Sequence, residues 1–250
     1  SLRSQTLADA EFIIVDDRSA EETARYVEGL PSLDSRFRVF RKPEQLERGC
    51  QASRNLGFDA ASGEMIVFLD SDDLLAANCL EIRLDYLRSN PGADVVVGRQ
   101  AILSEPGGGV SWVNVERADI SDLDRFLLLE RPQDVPWVNG GVAFRASSLR
   151  NAGVRWRPEF HWDDVAFHFE CLARGLTAGW MPRAADPDSY YRRHDGERYG
   201  SVLFSAEGIR STAAMLVWMA QVLRETGVLT EPRRHALVTD FFHACFLRAV

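Results

Sequence analysis

The apolar run Met65-Ile66-Val67-Phe68-Leu69 passes directly into Asp70-Ser71-Asp72-Asp73, and this junction limits the folds open to the chain. A short continuous apolar run suits a strand covered on both faces, as in a parallel sheet flanked by helices. Ligands in open α/β sheets bind just beyond the carboxyl ends of such strands. Asp70 and Asp72 are two apart, so in extended chain their side chains point the same way. Two carboxylates aimed at one point repel each other unless a cation lies between them. A hard divalent ion takes oxygen ligands and shares them with substrate phosphates. The junction therefore reads as a metal and diphosphate site at a strand end. A solvated acidic loop after a core strand is the plainer alternative.

The rest of the chain supports an α/β layout. Glu11 to Val15 reads as a second buried strand, and it ends in Asp16-Asp17. Ser19 with Glu22 three residues on forms a capping box, which predicts a helix to about Leu30. Arg36 to Arg41 alternates as a short strand. Gly49 to Ala61 and Leu75 to Ser89 read as helices, and Asp94 to Leu103 as a strand running towards Gly107-Gly108-Gly109. Strands alternating with helices predict βαβ units and a mostly parallel sheet. Further on, Asp163 to Arg174 is helical. From Ser205 the apolar residues Ile209, Ala213, Leu216, Ala220 and Leu223 recur at helical spacing. The expected division is a domain over 1–204 and a helical segment over 205–250 that continues beyond the last residue.

Composition narrows the function. The 250 residues carry a net charge of −8, whereas nucleic-acid proteins show a basic face. An anionic substrate stays open, because a bound metal reverses the local field. The four cysteines, Cys50, Cys79, Cys171 and Cys245, form no CxxC pair. They read as free thiols in a reducing compartment, hence a cytoplasmic protein. The longest apolar stretch, Ala213 to Leu223, is too short to span a bilayer, so any membrane association would be peripheral. Lys42 is the only lysine.

Three acid pairs are then notable: Asp16-Asp17, Asp70 with Asp72, and Asp163-Asp164 at a helix start. If the first two strands are parallel, their acids share one sheet edge, and Arg54 and Asn55 on the intervening helix can face it. This much points to a nucleotide-diphosphate site.

Here the chain resembles family 2 glycosyltransferases. Glu11 to Asp17 with Ser19 is similar to the family's opening block. Ala52-Ser53-Arg54-Asn55-Leu56-Gly57, Ala61-Ser62-Gly63-Glu64 and Phe68 to Asp73 are similar to its central block. Gly141 to Arg145 and Asp163 to Phe167 are similar to its acceptor-side block. The likeness covers about residues 1 to 200, in order and with matching spacing. It implies a GT-A fold, Rossmann-like, with a mostly parallel central sheet. It also implies a Mg²⁺ or Mn²⁺ ion and inverting transfer from a nucleotide-diphospho-sugar, UDP-sugar being the commonest, to a glycan or lipid-linked acceptor of the bacterial surface. Carried over by position, Asp16, Asp17, Arg54, Asn55, Asp70 and Ser71 bind the nucleotide-sugar. Asp70, Asp72 and His194 hold the metal, and Asp164 is the base. Asp163 stands where the family usually has Glu. The family's opening strand, with its Pro-x-Tyr-Asn-like segment, has no counterpart here, so the chain is expected to be a fragment.

Two other readings compete. A haloacid-dehalogenase-type phosphohydrolase also has a strand ending in Asp-x-Asp, but it uses a downstream lysine to hold the phosphoryl group, and none follows Lys42. A transferase-like module that binds nucleotide-sugar or glycan without turnover would not require both Asp72 and Asp164.

Overall fold

The structure, a computed structural model, describes residues 1–103, 113–114, 116–117, 119–127, 135–182, 185–192 and 205–242. The glycine turn at 107–109 and His194 lie outside the described residues. The elements in order are β1 (Phe12–Asp16), α1 (Glu21–Leu33), β2 (Phe37–Arg41), α2 (Cys50–Ala60), β3 (Met65–Ile66), β4 (Leu74–Leu75), α3 (Cys79–Ser89), β5 (Val95–Val97), β6 (Gln100–Leu103), α4 (Asp122–Arg125), β7 (Val142–Arg145), α5 (Ala146–Ala152), α6 (Asp163–Ala173), β8 (Ala178–Trp180), β9 (Ser189–Arg192), α7 (Ala206–Glu225) and α8 (Glu231–Phe242).

The strands form three ladders, in the orders β1-β2, β3-β7-β5-β8 and β4-β9-β6. The expected sheet was mostly parallel; the observed one is mixed. β1-β2, β5-β8 and β6-β9 are parallel, whereas β3-β7, β5-β7 and β4-β9 are antiparallel. The difference comes from β7, which returns between β3 and β5 and reverses both pairings.

The defining apolar run is also covered unequally. Ile66 and Phe68 are buried in the main core with Phe58, Phe144, Trp156 and Phe167. Met65, Val67 and Leu69 are half-buried and pack with Ile14 and the smaller cluster around Phe12 and Phe37. Among the described residues β1 pairs only with β2, and β3 only with β7. Ile13, Ile14 and Val15 of β1 line one cleft together with Met65, Val67 and Leu69. That cleft is why the run is buried on one face rather than two.

The direction of β3 follows from contacts at both ends of α2. Glu11, before β1, accepts hydrogen bonds from the Ser62 N–H (2.6 Å) and Gly63 N–H (3.1 Å). Asp17, after β1, accepts from the Gly49 N–H at 2.8 Å. α2 thus runs back along β1, and β3 sets out from the same end as β1. The acids that follow both strands therefore lie on one edge.

α7 contributes Met215, Leu216, Met219, Val222 and Leu223 to the main core, and α8 contributes Leu237. These helices complete that core rather than building one of their own. Among the described residues no helix is long and apolar enough to cross a membrane.

Candidate active site

A single cleft of about 2310 Å³ is lined by Asp16, Asp17, Arg54, Asp70, Ser71, Asp72, Asp163 and Asp164. The same cleft continues between β1 and β3 past Ile13, Ile14 and Met65, so the acids line one part of it. Of the predicted residues described here, only Asn55 does not line it. Both ends of its amide are engaged elsewhere: Nδ2 donates to the Trp156 carbonyl (2.8 Å), and Oδ1 accepts from the Trp156 N–H (3.0 Å).

Asp16 and Asp17 have different surroundings. Asp16 is buried and accepts a hydrogen bond from the Ser19 N–H at 3.2 Å. That bond uses the turn before α1, so α1 opens after Ala20 with no side-chain cap instead of with the expected capping box. Asp17 faces the cleft and pairs with Lys42 Nζ at 2.7 Å. Burial alone would raise its pKa, but the Gly49 N–H and the Lys42 ammonium outweigh burial and hold it below the ordinary carboxylate range. Lys42 is itself buried and also donates to the Gly49 carbonyl at 3.0 Å. Replacing Lys42 by Met should remove about 2 kcal/mol of stability, by leaving a partly buried carboxylate short of a partner. The loss stays below that of a fully buried pair, because Asp17 keeps 26% of its side chain exposed. Urea midpoints of the two proteins check this, and equal midpoints would refute it.

Arg54 joins the other two acid pairs. Its guanidinium contacts Asp70 through Nη2, and it donates to Asp163 Oδ2 through Nη1 at 2.6 Å. The same guanidinium lies 4.3 Å from the centre of the Trp156 ring. Cys50 Sγ donates to Asp163 Oδ2 at 3.3 Å. Asp163 is therefore committed to Arg54 and Cys50, and its neighbour Asp164 makes no ion pair among the described residues. Burial first, and then the charge on Asp163, raise the Asp164 pKa against the Val165 N–H that it accepts from. Trp162 holds the N-cap position of α6, so Asp164 belongs to the first turn and is not the cap.

Asp70 and Asp72 both line the cleft, Asp70 with one carboxylate oxygen already on Arg54. Among the described residues no three His, Cys, Asp or Glu side chains converge to hold an ion by themselves. Two carboxylates fit a hard divalent ion that completes its shell with diphosphate oxygens and water. Asp73 also lines the cleft, but it is buried, and its Oδ1 accepts from the Arg192 N–H at 3.0 Å, which fixes the end of β9 to the acidic loop. Burial, and next to it the charges of Asp70 and Asp72, push its pKa up to about 6.

Of Trp137, Trp156, Trp162 and Trp180, only Trp162 lines the cleft. Trp137 and Trp156 are core residues. Sequence reading missed the parts played by Lys42, Cys50 and Trp156. The one available signal was that Lys42 is the sole lysine.

Comparison with known proteins agrees with this geometry. The family model for glycosyl transferase family 2 matches residues 1–132. A Campylobacter jejuni GalNAc(5)-diNAcBac-PP-undecaprenol beta-1,3-glucosyltransferase is 33% identical over 105 residues, 42% of this chain and 33% of that protein. The Escherichia coli UDP-Glc:alpha-D-GlcNAc-diphosphoundecaprenol beta-1,3-glucosyltransferase WfgD is 36% identical over 90 residues, 36% of this chain and 34% of its own length. The chain thus spans about a third of the length of these curated relatives. In three dimensions it is similar to S. aureus TarS 1-349 in complex with UDP-GlcNAc, with a TM-score of 0.66 and 17% identity, covering 98% of this chain and 75% of that one. The Pyrobaculum calidifontis mannosyltransferase PcManGT, in complex with GDP-Man and Mn²⁺, gives a TM-score of 0.59 at 18% identity, over 99% of this chain and 67% of that one. The fold is accordingly GT-A. By its sequence, its fold and the order of its acid pairs, the chain belongs to glycosyl transferase family 2.

Proposed function

We propose that this protein transfers a sugar, with inversion, from a nucleotide-diphospho-sugar to an acceptor hydroxyl. The observation that carries the reading is the convergence of both strand-end acid pairs and the start of α6 on one cleft. Asp17 takes the nucleoside end of the donor, and Asp70 and Ser71 take its ribose and diphosphate. Asp72, with Asp70, would hold a Mg²⁺ or Mn²⁺ ion, which would offset the charge on the leaving diphosphate. Asp164 accepts the proton of the incoming hydroxyl. As the new bond forms at the anomeric carbon, the bond to the diphosphate oxygen breaks. The raised pKa of Asp164 suits it to a base near neutral pH.

A UDP-sugar is the favoured donor, in keeping with the UDP-GlcNAc named for TarS. A lipid-linked glycan is the favoured acceptor, in keeping with the undecaprenol-linked substrates named for two relatives. Such an acceptor places the protein at the cytoplasmic face of a membrane without requiring it to cross one.

Calorimetry with UDP and Mn²⁺ tests the donor side. The wild type should bind UDP more tightly with Mn²⁺ than without, and Asp72→Asn should lose most of that gain at an unchanged melting temperature. Equal metal dependence in the two proteins would remove Asp72 from the site. Binding without transfer across a panel of acceptors would instead favour a binding module.

A further inference from the structure

The clasp that joins Asp70 to Asp163 is itself held from outside the cleft. Arg54 sits in the second turn of α2, and its guanidinium must point at two carboxylates from different elements, the end of the β3 run and the start of α6. A free arginine side chain has several rotamers, and fixing it costs conformational entropy. Three contacts define one orientation here. Trp156 lies beneath the guanidinium, 4.3 Å from the ring centre. Phe167 stacks on Trp156 with centroids 4.1 Å apart and planes 4° from parallel. The Arg54 guanidinium and the Phe167 ring thus both pack against the Trp156 side chain. Asn55 then pins the Trp156 backbone by two hydrogen bonds of 2.8 and 3.0 Å.

The arrangement closes on itself. α2 supplies Arg54 and the Asn55 pin, while α6 supplies Asp163, Asp164 and the Phe167 support. The guanidinium is suited to this place because it is planar, stacks on an aromatic face and presents several donors in a fixed fork; an ammonium has no plane to stack.

We propose that Asn55 and Trp156 are positioning residues which fix the Arg54 guanidinium as the clasp setting the start of α6 against the donor-side carboxylate Asp70. This rests on the transferase reading for its effect on rate, and on the geometry alone for its effect on coupling. A displacement of about 1 Å at a reacting group can cost about 10²-fold in rate. Arg54→Ala should lower kcat by about that much, and Asn55→Ala by at least about 10-fold. Donor affinity of Asn55→Ala should fall less than its kcat, because Asn55 does not line the cleft and reaches Asp70 only through Arg54.

The deciding experiment is a double-mutant cycle on the full chain with Asn55→Ala, Arg54→Ala and the pair. If Asn55 acts through Arg54, Asn55→Ala should cost little further kcat once Arg54 is alanine. Additive losses would overturn the proposal, since they would mean that Asn55 serves the fold by another route. The same cycle is read by urea midpoints. Should the wild type transfer no sugar, the transferase reading falls, and the midpoints still decide the clasp: non-additive changes support it and additive changes sink it.

Discussion

Asp164→Asn should melt no lower than the wild type at neutral pH and should transfer sugar about 10²-fold more slowly or worse. The two halves of this expectation have separate causes. On stability, the folded protein raises the Asp164 pKa to about 6, chiefly by burial and by the neighbouring charge on Asp163. A carboxyl whose folded pKa is raised contributes stability fully below its unfolded pKa and loses it as pH climbs through the folded value. At neutral pH the ionised Asp164 is therefore a cost, and a neutral amide removes it. Some attraction to the helix N-terminus is lost in exchange, typically 0.3–1 kcal/mol. On rate, the amide keeps the shape of the side chain but cannot accept a proton. The pH profile of the wild type should match: kcat/KM should fall as pH drops below about 6, where Asp164 takes up a proton. Turnover and melting temperature measured on one preparation check both halves. Near-normal turnover of Asp164→Asn would end its candidacy. Asp163 would be a poor replacement, because its carboxylate is already bound to Arg54 and Cys50.

The parts of this site that were legible in the sequence are those written in a few consecutive residues. Glu11 to Asp17 and Met65 to Asp73 share an apolar-then-acidic pattern, and with the two strands taken as parallel that pattern put two acid pairs on one edge. The parts that were not legible depend on partners far along the chain. Asn55 reads as a residue of the site because it sits beside Arg54, yet its amide is consumed by Trp156, 101 positions away. Nothing local to either residue signals that bond. Lys42 stood out by being alone, but its partner Asp17 is brought to it only by the parallel pairing of β1 with β2. The antiparallel return of β7 escaped for a different reason. Val142 to Arg145 is short and buried almost throughout, so it lacks the alternation by which a strand direction or an edge position can be argued. The α1 start was misplaced because Asp16 takes the Ser19 N–H and Arg18 adopts a left-handed backbone with φ of 60°. That local choice shifts the cap by one residue.

Arg83→Met should be the most damaging single change outside the cleft, at about 3–5 kcal/mol of folding stability. Arg83 on α3 and Asp188 before β9 have side chains only 0% and 1% exposed, and they meet bidentately, Nε to Oδ2 at 2.7 Å and Nη2 to Oδ1 at 2.9 Å. Removing the cation leaves a carboxylate buried without its counter-charge, and that exposed penalty, more than the value of the pair, sets the cost. Against a typical total of 5–15 kcal/mol, the loss is a large share. The damage spreads because the pair is a junction. Nη1 of Arg83 donates to the Gly140 carbonyl at 2.8 Å, and Asp188 Oδ1 accepts from the Arg99 N–H at 3.0 Å. Gly140 in turn donates its N–H to the Phe68 carbonyl at 2.9 Å, two residues before Asp70. Its φ of +75° favours glycine, and an added Cβ would lie 3.2 Å from Gln100 Nε2. The turn that braces the donor strand end is thus held from behind by Arg83. The double variant Arg83→Met/Asp188→Leu separates charge from bracing. Eliminating both charges should recover part of the stability lost by Arg83→Met, because an apolar pair avoids the stranded carboxylate. Recovery should stop short of the wild type, since the Gly140 carbonyl would still lack its partner and the Arg99 N–H would newly lose Asp188. Urea unfolding of the three proteins decides it: a double variant no more stable than Arg83→Met alone would show that bracing, not charge, carries the cost.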